Sequence, residues 1–193
     1  MLKPYAERTH LAMKEVLMNP DASGPEIHYY MIRGGTEKKN ITVWETGTVG
    51  GEYIKTYGHY HVGDLNETYK VVQGEGIVLM QRRAKDSLGN FVDDEIEEFR
   101  AIRLKEGQSL FIPSEMGHLV VNIGKSWLVT VDDSPVNFEE KDPVGLPGHA
   151  DYEPVKKLRG FAYYVIEHND LPFLVKNPLY KKIPEVSIED LLG

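Results

Sequence analysis

Three histidines and one carboxylate stand at spacings that suit a divalent metal. His59, His61 and Glu67 fall in GHYHVGDLNE, and His118 falls in PSEMGHLVVN. Residues two apart on a strand face the same way, so His59 and His61 are expected to point to one side together. Glu67 follows after a short turn and opens a β-type run, TYKVV, while His118 comes from a later strand. Imidazole suits zinc, iron, copper and nickel, and an added carboxylate also suits manganese. Four such ligands leave two exchangeable positions on an octahedral ion, which a bidentate substrate could fill. The chain has no cysteine, so neither a thiolate ligand nor a disulfide framework is available.

These residues need strands to position them. From residue 27 the chain reads as strand after strand: IHYYMIR, NITVWET, EYIKTYG, ETYKVV, GIVLMQ, EIEEFRAIRL, SLFIP, HLVVNI and WLVTVD. Turn residues such as GTVGGE, QGEG, DSLGN and KEGQ separate them. Such close spacing favours an antiparallel sandwich or barrel over βαβ units. Before the strands, LAMKEVLM reads as a helix stopped by Pro20. After them, DDSPVNFEEKDPVGLPGHADYEPV reads as a long irregular segment, placed as a flap over the barrel mouth. RGFAYYVIE and PFLV return to strand, and SIEDLLG reads as a short helix with Ser187 as N-cap. No repeat or domain boundary interrupts the pattern. We expect one domain over residues 1–193, with a barrel core at about 27–135 and a loop and C-terminal strands over 136–193.

Composition narrows the partners. With 22 basic and 30 acidic residues the formal charge is −8, which argues against nucleic acid or an anionic membrane. No stretch approaches the roughly 18 apolar residues of a membrane span, and no leader peptide is visible. A cytoplasmic protein is expected.

The two blocks GHYHVGDLNETYKVVQG and GQSLFIPSEMGHLVVN resemble the paired motifs of cupins, small double-sheet β-barrels. The resemblance implies an all-β jelly-roll with a short N-terminal helix and a C-terminal extension. Two departures are visible. Five residues separate His61 from Glu67, slightly more than is usual, which leaves Asp64 as a competitor for the carboxylate role; and Glu115 stands where a glycine is common. More narrowly, TYGHYH, ETY, PSEMGH and GHADY resemble elements of the cupin-type glucose-6-phosphate isomerases of archaea and some bacteria. GHADY carries one extra residue between His149 and Tyr152.

That resemblance implies roles by position. His59, His61, Glu67 and His118 would hold the metal, with Fe²⁺ expected and Zn²⁺, Mn²⁺ or Ni²⁺ as replacements. Thr42, Thr56 and Gly58 match phosphate-binding positions, and Tyr29 and Tyr69 match tyrosines of the substrate pocket. His149 and Tyr152 match groups that approach the sugar, His149 being the better choice for ring opening because the reference pKa of histidine lies near neutrality. Glu67 is the implied base for the C2 proton, with a direct hydride shift as the alternative route. The implied activity is interconversion of glucose 6-phosphate and fructose 6-phosphate through a metal-chelated cis-enediolate, in glycolysis and gluconeogenesis, by a homodimer. Two other classes share the ligand set: a dioxygenase using iron on three histidines and a glutamate, and a non-catalytic metabolite-binding cupin.

Overall fold

The computed structural model describes residues 6–33, 40–134 and 150–191. Two sheets frame the molecule. The larger runs β1 (Ala6–Thr9), β2 (Ile27–Ile32), β3 (Asn40–Trp44), β12 (Leu128–Asp132), β7 (Glu67–Gln73) and β10 (Ser109–Ile112), each neighbour antiparallel to the next. The second runs β11 (Met116–Asn122), β8 (Glu75–Lys85), β9 (Phe91–Lys105) and β16 (Ile188–Asp190). Two smaller sheets complete it: β13 (Ala150–Asp151) with β6 (Tyr60–His61), and β15 (Leu171–Lys176), β14 (Tyr163–His168), β5 (Glu52–Tyr53) and β4 (Thr48–Val49). This is the expected all-β architecture, built mainly of antiparallel sheets.

Strand alternation fills its interior. Asn40, Thr42 and Trp44 on β3 are buried while their neighbours are less so, and Leu128, Thr130 and Asp132 on β12 and Glu67, Tyr69 and Val71 on β7 repeat the pattern. Register sorts these residues into layers. Trp44 lies opposite Tyr29 and Leu128; Thr130 lies opposite Thr42 and Val71; Asp132 lies opposite Asn40 and Tyr69. The barrel is therefore apolar at one end and polar at the other, and the polar end is where Glu67 enters.

The chain ends differ from the sequence expectation. LAMKEVLM gives only α1 (His10–Met13), one turn capped by Thr9 Oγ1 accepting from Ala12 N–H at 3.3 Å, and a 3₁₀ turn over Lys14–Val16. The residues before it form β1 on the edge of β2. Burying Met13, Val16 and Leu17 takes little more than a turn, so no longer helix is needed. At the other end, the described part of SIEDLLG is not a helix. Ile188–Asp190 pairs in parallel with β9, and Gln108 Nε2 donates to Leu191 O at 3.1 Å. A helix this short gains little from its own hydrogen bonds, whereas β9 offers a ready edge.

A buried ion pair clamps the N-terminal turn to the barrel. Lys55 and Glu52 are both inside and paired. Lys55 Nζ donates to Val16 O at 2.7 Å and Glu52 Oε2 accepts from Met18 N–H at 2.8 Å. Removing one partner strands the other charge, so Lys55→Met should cost about 3 kcal/mol in denaturant unfolding. The double variant with Glu52→Gln should recover part of that loss; a single variant as stable as the parent would refute the clamp.

Candidate metal centre

Residues 54–59 run antiparallel to β11 and build the histidine side of the site. Ile54 O accepts from Asn122 N–H at 2.8 Å, Thr56 N–H donates to Val120 O at 2.9 Å, and His59 and His118 exchange backbone bonds at 3.2 and 2.9 Å. Between Thr56 and His59 this strand carries one more residue than β11, which is a β-bulge. Gly58 supplies it with φ +82, a region side chains rarely adopt, and a Cβ there would meet Phe161 Cε1 at 2.9 Å. The bulge frees Tyr57 N–H from the ladder, and it donates to Tyr29 Oη at 3.2 Å.

Tyr60, between the two histidines, points away from them. Its ring lies over Gly117, where a Cβ would come within 2.5 Å of it, and its hydroxyl accepts from buried Gln81 Nε2 at 2.6 Å. Gln81 also donates to Tyr180 Oη at 3.1 Å and accepts from Ala162 N–H at 2.9 Å. With Tyr60 held on one face, His59 and His61 are held on the other.

Ligand atoms of His59, His61, Glu67 and His118 all lie within 4.8 Å of one another. Glu67 Oε2 is 3.3 Å from His61 Nε2 and 3.1 Å from His118 Nε2. Glu67 Oε2 and His118 Nε2 are buried without a well-formed hydrogen bond, so they converge on a common point rather than satisfy each other. The far nitrogens are engaged by backbone: His61 Nδ1 with Leu65 O at 3.1 Å, and His118 Nδ1 with Met116 O at 3.4 Å. Such bonds orient Nε2 for a metal. Burial and the two other histidines hold His59 well below the usual imidazole range. Burial alone would raise Glu67, but His118 and His61 outweigh it and hold the carboxyl well below its ordinary value. Burial opposes protonation of His61, yet the Glu67 carboxylate raises it overall. Three imidazoles around an ionised carboxylate, with orphaned donor atoms, fit a divalent ion. Asp64 is exposed in the turn and outside the cluster.

The other expected residues are spread around this centre. The Tyr69 ring is 5.7 Å from that of His118, and the Tyr152 ring is 5.6 Å from that of His59 and 5.3 Å from that of Tyr57. Thr42 is buried in the middle layer, while Thr56 Oγ1 accepts from Val120 N–H at 3.0 Å. His149 lies outside the described residues. Three groups went unnoticed in the sequence. Arg8 faces Tyr29 across β1 and β2, and its guanidinium lies 5.4 Å from the centre of the Tyr152 ring. Asn40 donates to Asp132 Oδ1 at 2.6 Å in the polar layer. Burial, with Glu67 nearby, pushes the Asp132 carboxyl up to about 7. Only the two-residue alternation of β3 and β12 could have marked this pair. Glu115 has φ +67, the physical reason a glycine suits that position; its carboxylate meets Lys85 Nζ at 2.8 Å.

Comparison with known proteins decides the family. The glucose-6-phosphate isomerase (GPI) family model matches residues 26–180. The chain belongs to the glucose-6-phosphate isomerase family. Glucose-6-phosphate isomerase of Pyrococcus furiosus is 32% identical over 142 residues, covering 73% of this chain and 63% of that protein. The Pyrococcus abyssi enzyme is 31% identical over 141 residues, covering 72% and 62%. The chain thus spans somewhat less than two thirds of these relatives' length. A solved cupin domain of Drosophila melanogaster CENP-C is 13% identical, covering 58% of this chain and 74% of that one, at a TM-score of 0.38, too loose to carry weight. No helix among the described residues is long and apolar enough to cross a membrane.

Two measurements follow. Titration calorimetry with elemental analysis should find one divalent ion per chain; His118→Ala should abolish it and Asp64→Ala should leave it unchanged. Retained binding in His118→Ala would refute the cluster. In metal-free protein, Asp132 keeps its proton in the folded state up to about pH 7, whereas the unfolded carboxyl loses it near 3.8. Folding stability from this group is therefore full below pH 3.8 and lost as pH rises to about 7. Asp132→Asn should flatten that decline in chemical unfolding measured across this range.

Proposed function

We propose that this chain is a metal-dependent aldose–ketose isomerase that interconverts glucose 6-phosphate and fructose 6-phosphate. The observation that carries the reading is the convergence of His59, His61, Glu67 and His118 within 4.8 Å, at the polar end of a barrel belonging to the isomerase family. A divalent ion held there would act as a Lewis acid, stabilising negative charge that develops on sugar oxygens.

The remaining work falls to the chain's own groups. A hydrogen must move between C1 and C2, and a proton between O1 and O2. Glu67 is kept ionised by its histidines, so it is in the form a base requires. A divalent ion held there would make it a weaker base, because a bound cation stabilises the ionised form. Glu67 either leaves the cluster to take the C2 proton or serves only as a ligand while hydride passes directly between the carbons. Tyr152 and Tyr69 flank the histidines with one apolar face and one hydroxyl each, suited to a sugar and to keeping water out. Thr42, Thr56 and the Gly58 backbone are the proposed phosphate-side groups, and His149 the ring-opening group. An iron ion, a homodimer and a place in glycolysis and gluconeogenesis belong to the same proposal.

A coupled assay tests it. Conversion of fructose 6-phosphate to glucose 6-phosphate should disappear with chelator and return with Fe²⁺, Mn²⁺, Zn²⁺ or Ni²⁺. Glu67→Gln that still binds metal should lose at least about a hundredfold in kcat if Glu67 is the base, and keep most of it under a hydride shift. No turnover with any ion, despite bound metal, would overturn the isomerase reading.

A further inference from the structure

Arg33 is a partly buried cation beside the metal cluster that neither the fold nor the proposed mechanism employs. On β2, Tyr29 faces Trp44 and Met31 faces Thr42, so the residues two apart that line the interior continue to position 33. The next step of that register brings Arg33 level with Asn40, in the polar layer that also holds Asp132 and Tyr69. Its charge acts on His59, Tyr69 and Asp132, three inward groups that surround the cluster. Its Nη1 is buried and has no hydrogen-bond partner among the described residues. Arg82 and Arg83, by contrast, stand beside acids: Arg82 meets Glu98 at 2.8 Å, and Arg83 meets Asp93 at 2.7 Å.

A buried guanidinium nitrogen without a partner is costly unless an anion completes it. The two nearby carboxyls are engaged elsewhere. Glu67 is directed at His61 and His118, and Asp132 Oδ1 accepts from Asn40 Nδ2, Ser134 N–H and Ser134 Oγ. Among the described residues no carboxylate is left for it, and a planar guanidinium fork matches the phosphoryl oxygens that the substrate would bring. The Thr42 hydroxyl lies one layer deeper on the same wall. We propose that Arg33 binds the phosphoryl group of the substrate and thereby selects phosphorylated over free sugars. This rests on the sugar-phosphate reading above and names the group that would enforce it.

The test uses inorganic phosphate as probe, on the metal-loaded protein. Its affinity is measured by titration calorimetry, and its inhibition of isomerisation by kinetics. Arg33→Ala should weaken phosphate binding about tenfold or more, the loss of one charge-assisted contact. KM for fructose 6-phosphate should rise by a similar factor while kcat falls less, and metal content should stay the same. Arg33→Lys, which keeps the charge without the fork, should recover part of both. Unchanged phosphate affinity in Arg33→Ala would overturn the proposal. So would a fall in kcat at constant KM, which would place Arg33 at the reacting carbons instead. If the parent binds phosphate, loses it in Arg33→Ala, yet turns over no sugar phosphate, the anion site stands and the isomerase reading fails.

Discussion

Two backbone hydrogen bonds, exchanged between His59 and His118, set the distance on which the site depends. They tie the first histidine pair to β11 at the level where Glu67 enters from the facing sheet. Without that tie, His59 and His61 would sit on an unpaired segment with nothing to hold them opposite His118 of β11 and Glu67 of β7. With it, four donors are held at a spacing no water-filled cleft would impose. The bulge at Gly58 is what makes the tie possible, because it shifts the strand by one residue and so chooses which side chains face inward. A bulge is usually described as an irregularity, but here it is the register change that the chemistry requires.

The polar end of the barrel is an electrostatic compromise. Glu67 is charged because the histidines surround it, and Asp132 is discouraged from charge first by burial and then by the charge on Glu67. Two carboxyls in one cavity are thus pushed to opposite sides of their common value. That separation is a familiar property of acid–base sites: one acid sits among imidazoles, while the other is buried beside the first one's charge, which outweighs the hydrogen bonds it accepts from an amide and a hydroxyl.

Much of this was legible in the sequence. HxH, the carboxylate beyond it and the later histidine are local signals, and strand periodicity placed them correctly on one interior. The choice between Glu67 and Asp64 was not legible, since it depends on where the turn ends and β7 begins. Arg8 and Asn40 were missed for a different reason. Each looks like an ordinary strand residue, and only pairing across β1, β2, β3 and β12 turns it inward. The terminal segments were misread because helix periodicity was weighed without the open edges of β2 and β9, which capture Ala6–Thr9 and Ile188–Asp190. Local preference loses to an available sheet edge when the segment is only a turn long.

Gln81 joins groups that the ribosome delivers far apart in time. It lies in β8, and its amide holds Tyr60 from the histidine strand together with Ala162 and Tyr180 from near the C-terminus. During synthesis His59, His61, Glu67 and His118 have all emerged well before Ala162 and Tyr180 do. Until those late residues arrive, Gln81 is incompletely satisfied and Tyr60 is free to turn. The nascent barrel therefore carries all its ligands but lacks the bracket that holds them. The bonds that hold Tyr60 are complete only once Ala162 and Tyr180 have docked.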